Sequence, residues 1–129
     1  MISYHIDIAR YATQCERKWI DNLLSHFDIP GVERARQGSL RRIAPTGIYH
    51  IALSHRIVVE LNTTLNTAVA LAQALLRTQD GELALSRGLS LKFDRRAFES
   101  AIDGRIAEAV EAIVPARRGR PPKYDRAGN

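Results

Sequence analysis

The residues with the plainest chemistry are cations gathered in two short polar stretches. Residues 31–43 carry Arg34, Arg36, Arg41 and Arg42 against Glu33, a net of +3, and residues 115–129 carry Arg117, Arg118, Arg120, Lys123 and Arg126 against Asp125, a net of +4. The remainder of the 129-residue chain is close to neutral, since residues 1–30 and 44–114 each sum to −1 within a total of +5. Cations concentrated in this way meet phosphate at two places while a nearly neutral body packs between them. Other chemistries find less to work with. His50 and His55 stand five apart, off the i, i+4 spacing of a helical metal pair, so their expected role is structural. Cys15 is the only cysteine, which rules out an intramolecular disulfide and a thiolate-rich zinc site. There is no G-x-x-x-x-G-K-[ST] loop and no G-x-S-x-G elbow. Neither catalysis nor a cofactor is expected.

Within the second stretch the order is Arg117-Arg118-Gly119-Arg120-Pro121-Pro122-Lys123. The minor groove over A·T pairs is narrow and strongly negative, so what enters it must be thin, extended and cationic. Glycine supplies the thinness and the prolines hold the backbone extended. These seven residues resemble the AT-hook, whose core is a Gly-Arg-Pro tripeptide between basic residues. The resemblance implies Arg118 and Arg120 on the groove floor around Gly119 and Pro121, with Arg117 and Lys123 on phosphates. Beyond Val114 no apolar periodicity remains, and residues 115–129 are expected to be disordered when unbound.

The elements that must position these cations follow from hydrophobic period. Ile2, Ile6, Ile8, Ala9 and Ala12 predict a strand or turn running into a brief helix capped by Asp7. Residues 15–27 place Trp19, Ile20, Leu23, Leu24 and Phe27 on one helical stripe, which assigns Trp19 to the core, and leave Arg17, Lys18 and Asn22 on the polar face. Pro30-Gly31 ends that unit, and residues 32–42 read as a loop or hairpin. A helix from Thr46, with Thr46 as its cap, and a second from Leu65 are expected to pack together. Leu83, Leu85, Leu89, Leu91 and Phe93 then alternate around Ser86-Arg87-Gly88, the pattern of a small hairpin. Asp94 caps a last helix, striped by Phe98, Ile102, Ile106, Val110 and Ile113 and expected to stop at Pro115. No internal repeat is visible. No apolar run reaches the roughly 18 residues of a membrane span, and a cytoplasmic, nucleoid-associated protein is expected.

The order over residues 2–76, a short helix, a second helix with a polar face, a basic glycine-containing loop through Gly38-Ser39-Leu40-Arg41-Arg42-Ile43, and a helix pair jointed at Asn62-Thr63-Thr64, resembles the winged helix-turn-helix head of the MerR-type regulators. The long C-terminal coiled coil of that family is replaced here by the hairpin and single helix. The resemblance implies a mainly α fold with a DNA-binding head over residues 1–82, in which Arg17, Lys18 and Asn22 face bases or nearby phosphates. Arg34, Arg36, Gln37, Arg41 and Arg42 would form the wing. The stripe over residues 83–114 reads as surplus to the head and hence as a homodimer surface, ahead of the tail at 115–129. The expected partner is double-stranded DNA, with the A·T-rich minor groove taking the tail, and the expected role is sequence-selective regulation of transcription. A broad A·T-rich architectural binder and an antitoxin-like protein-interaction module are the alternatives.

Overall fold

Five helices and a two-stranded antiparallel hairpin make up the computed structural model, which describes residues 2–33 and 41–118, with side chains as far as Ile113. Helix α1 (Ile6–Thr13) starts where the Nδ1 of His5 accepts the backbone N–H of Asp7 at 3.2 Å. The cap is therefore His5, one residue before the helix, and Asp7 lies in the first turn, where its charge suits the helix dipole. Gln14, left-handed at φ 59°, closes α1, and α2 (Arg17–His26) begins after residues 14–16. It starts two residues later than the sequence suggested, because the N–H of Cys15 donates instead to the Thr13 hydroxyl. Helix α3 (Pro45–Leu61) is capped by Ala44 with Pro45 in its first turn, not by Thr46; the fixed φ of proline preorganises that turn and its missing N–H costs nothing there. Left-handed Asn62 ends α3, and the hydroxyl of Thr64 accepts the N–H of Thr67 to cap α4 (Leu65–Arg77).

Strands β1 (Glu82–Ser86) and β2 (Leu89–Lys92) pair with Leu83 opposite Leu91, an irregularity at Leu85 and Gly88 at φ 77° in the turn. The carboxylate of Asp94 accepts the N–H of Ala97, as expected, at the start of α5 (Arg95–Arg118). That last helix runs through Pro115 to Arg118, past the expected stop. A proline forfeits one backbone hydrogen bond, which a long helix tolerates near its end more readily than at its centre.

The packing of α5 corrects the sequence reading. Its stripe was surplus on paper, yet Ile102, Ile106 and Ala109 are buried with Ile8, Ala9 and Ala12 of α1, Ile20 and Leu23 of α2, and Ile48 and Ile51 of α3. Ala9, Ala12 and Ala109 are fully buried, and their small side chains let α1 and α5 approach closely. An eight-residue helix with two alanines leaves one side open after α2 and α3 have packed, and α5 fills it. Tyr49 on α3 also donates its hydroxyl to the carboxylate of Asp103 on α5. A second cluster joins Leu53 and Ile57 of α3 to Ala72, Leu75 and Leu76 of α4, roofed by Leu83, Leu91 and Phe93 of the hairpin. The end of the hairpin carries apolar side chains that nothing roofs: Leu85 is 45% and Leu89 56% exposed. No helix among the described residues is long and apolar enough to cross a membrane.

Gly104 lies inside α5 with nothing within 4 Å of where its Cβ would be. Glycine there costs about 1 kcal/mol relative to alanine with no packing in return. Gly104→Ala is expected to stabilise the fold by about that amount, read as a shift of the urea midpoint at constant slope.

Candidate nucleic-acid interface

The basic stretch at 31–43 is rooted by a ladder of three chain segments. Ile43 exchanges two backbone hydrogen bonds with Tyr4, each 2.8 Å, and pairs antiparallel with Val32 on its other side. The N–H of Glu33 donates to the carbonyl of Arg42 at 2.9 Å, and that of Ala44 to the carbonyl of Gly31 at 2.8 Å. Val32 and Ile43, at the two ends of the stretch, thus lie side by side. The root is pressed onto the start of α3: a Cβ on Gly31, whose φ is +86°, would stand 2.5 Å from the backbone nitrogen of Gly47. Only glycine fits at residue 31, for both reasons.

Helix α2 lies next to this root. It buries Ile20 and Leu23, packs Trp19 edge-on against His55 at 4.9 Å, and exposes Arg17, Lys18, Asn22, Ser25 and His26. Lys18, Asn22 and Ser25 fall at i, i+4 and i+7, so they share one outward face. Arg17 and Asp21 form a 3.7 Å ion pair along the helix, and Asp21 is also reached, at 3.4 Å, by the guanidinium of Arg41 from the returning limb of the ladder. Asp21 therefore ties the basic arm to the polar face of α2 and leaves one positive charge in excess over the three groups. No side chain caps α2 at Glu16, so the first N–H groups of the helix are unclaimed by a side-chain cap.

The structure brings Arg17, Lys18, Asn22 and Arg41 to one side of the molecule. Arg42 is drawn away, because it donates to the carbonyl of Ser3 at 2.6 Å and to the Ser3 hydroxyl at 3.2 Å, which fastens the N-terminal strand of the ladder. Arg34, Arg36 and Gln37 lie outside the described residues, as do Gly119, Arg120, Pro121 and Lys123. The backbones of Arg117 and Arg118 belong to the last turn of α5, so the extended hook that the sequence resembles can begin only at Gly119 unless that turn opens. Sequence reasoning missed the clasp at Asp21 and the anchor at Ser3. The i, i+4 spacing of Arg17 and Asp21 was a signal for the first; nothing local announced the second.

Two buried titratable groups lie elsewhere, His50 and Cys15. His50 is buried and donates from Nδ1 to the carbonyl of Thr46 at 2.8 Å; burial lowers its pKa and keeps it neutral. Burial also pushes the Cys15 thiol up, away from the thiolate that reacts. No group of three histidine, cysteine or acidic side chains that could hold a metal occurs among the described residues.

No family model matches the chain, and neither curated proteins nor solved structures give a significant match.

Proposed function

We propose that this chain is a sequence-selective DNA-binding regulator built on a winged helix-turn-helix, with α1 and α2 as the helix pair, residues 31–43 as the wing and the basic tail as an AT-hook. The observation that carries the reading is the ladder Tyr4, Ile43, Val32, which holds the two ends of a strongly basic segment beside α2, where Arg41 pairs with Asp21 of its polar face. In this reading Lys18 and Asn22 read base edges in the major groove, while Arg17, Arg41 and the arm meet the backbone. Tail and head reinforce each other because tethering raises the effective concentration of the second contact. Regulators of this kind act as dimers on two half-sites. With the α5 stripe buried, the exposed apolar side chains that could meet a second copy include Leu85 and Leu89 at the hairpin end and Val59 and Leu61 at the end of α3, all more than 40% exposed.

Selection of bound genomic fragments followed by footprinting tests this directly, since a regulator protects one discrete operator and an architectural protein protects A·T-rich DNA broadly. On the selected operator, Asn22→Ala is expected to lose roughly tenfold in discrimination against the mutated half-site. Arg41→Ala is expected to flatten the dependence of log affinity on log salt by about one unit, and Asp21→Asn to strengthen binding by freeing two arginines. If the Arg41→Ala slope equals that of the wild type and Asp21→Asn binds no more tightly, Arg41 does not touch DNA. The role first given to Arg42 changes with its position: Arg42→Ala is expected to act by loosening Ser3 and the ladder, visible as faster amide exchange at Tyr4 and Ile43.

A further inference from the structure

Helices α3 and α5 are held together at Tyr49 and Asp103, and small residues of both, Ala52 on α3 and Ala97 and Ala101 on α5, line one open space near the hairpin. The space they leave is a cavity of about 590 Å³, floored by Leu53, Ile57, Leu91, Phe93 and Phe98. That is the size and the apolar character of a small-molecule site. Its rim is charged. The two acids that line it are engaged, Glu60 with Arg56 and Asp94 with the first turn of α5. Lys92 and Arg105, which line the same cavity, make no ion pair with a described residue.

The cavity also touches the helix pair. Thr13, the last residue of α1, lines it, and so does His55, whose ring packs at 89° against Trp19 of α2. The cavity wall thus includes the end of α1 and the ring that meets Trp19 of α2.

We propose that this cavity binds an amphipathic carboxylate, its apolar body on the floor and its carboxylate on a cation of the rim, Lys92 or Arg105, and that occupancy is transmitted to α2 through His55 and Trp19. The apolar floor selects a hydrocarbon or aryl body, and cations at the edge that make no ion pair with a described residue select a negative head group. The regulatory half rests on the DNA-binding reading above; the binding half does not.

Trp19 is the only tryptophan in the chain, so the full-length protein reports on its own cavity. Titration with decanoate below its micellar range is expected to give a saturable change in tryptophan emission, with decan-1-ol binding at least tenfold more weakly. The double variant Lys92→Ala, Arg105→Ala is expected to lose at least tenfold in affinity for decanoate and none for decan-1-ol. Ala101→Phe, at an exposed position of α5, is expected to fill the cavity and abolish binding while melting as the wild type does. Absence of binding by both emission and calorimetry, equal affinity for the alcohol, or a double variant as good as wild type each overturns the site. Self-association that Ala101→Phe removes, with no decanoate bound, overturns it in favour of a second copy lying in the groove. Decanoate that binds as expected but leaves operator affinity unchanged overturns the transmission and leaves the site standing. A chain that binds no DNA at all defeats the earlier reading, and the emission titration still decides this one.

Discussion

Ile106→Glu is expected to unfold the chain. Ile106 is 6% exposed in the core shared by α5 and α1, against Ile8, Ala9 and Ala12. The substitution forfeits the roughly 1.5–3 kcal/mol gained by burying an apolar side chain of this size. It also places a carboxylate where no cation is buried to receive it, at a cost of several kcal/mol more whether the group ionises or takes up a proton. The sum is comparable with the whole stability of a small domain, about 5–15 kcal/mol. Circular dichroism should show helix content lost at 25 °C, and sedimentation should find no folded monomer. A surplus stripe at a dimer surface predicts otherwise: a folded monomer with normal helicity. Leu89→Lys is the contrasting variant, because Leu89 is more than half exposed at the hairpin end. It is expected to keep its helix content and melting temperature, and to lower any self-association that the hairpin supports.

The contrast between those two leucine- and isoleucine-bearing elements marks how far the sequence could be read. Periodicity within one element is a local property, and it located the buried faces of α2, α4 and α5 and the two-residue alternation of the hairpin. Ala68, Val69, Ala72, Leu75 and Leu76 of α4 are all buried, as their spacing requires. What an apolar stripe packs against is not local. The stripe of α5 is equally consistent with a second subunit and with α1, some ninety residues earlier, and only the small size of Ala9 and Ala12 hinted that α1 had room for it. The same limit applies to the candidate interface. The polar face of α2 and the basic arm were legible as separate features, whereas the Arg41 to Asp21 clasp spans 20 residues and the Arg42 to Ser3 anchor 39. Such pairs depend on how the ladder folds, and Tyr4 and Ile43 contribute a single bridge each way, too short to register as strands in a pattern of alternation. Two of the expected caps, at Asp7 and Thr46, failed for a different reason, while that at Asp94 held. Asp7 and Thr46 are good capping residues in sequence, but His5 and the Ala44-Pro45 pair already set the backbone entry angle one or two residues earlier.

Removal of residues 119–129 is expected to weaken binding to an A·T-rich operator by roughly 100-fold, as the loss of a tethered second contact does, while a G·C-rich duplex loses far less. The segment carries Arg120, Lys123 and Arg126 against Asp125, a net of +2, so a plain polycation would show equal losses on both duplexes and a salt slope flattened by about the same amount on each. Placement makes the selective outcome a demanding one. Helix α5 is fixed to α1 by its buried stripe, and its last turn ends at Arg118, so the Gly119-Arg120-Pro121 core follows the helix directly. Two fully extended residues span only about 7 Å, which puts Arg120 in a groove only if the end of α5 itself comes down beside the duplex. Pro115 offers additional reach. Its missing N–H deprives the final turn of a hydrogen bond, and opening residues 115–118 adds about 13 Å of chain and returns Arg117 and Arg118 to the extended form that the hook resemblance requires. Arg120→Ala should then reproduce most of the A·T-selective loss. Pro115→Ala, which restores the donor and stiffens the helix end, should weaken A·T-rich binding several-fold and leave G·C-rich binding unchanged. Fluorescence anisotropy on matched A·T-rich and G·C-rich duplexes, at two salt concentrations, measures all three. Equal losses on the two duplexes would reduce the tail to a source of charge, and an unaffected Pro115→Ala would mean that the hook binds from a closed helix end.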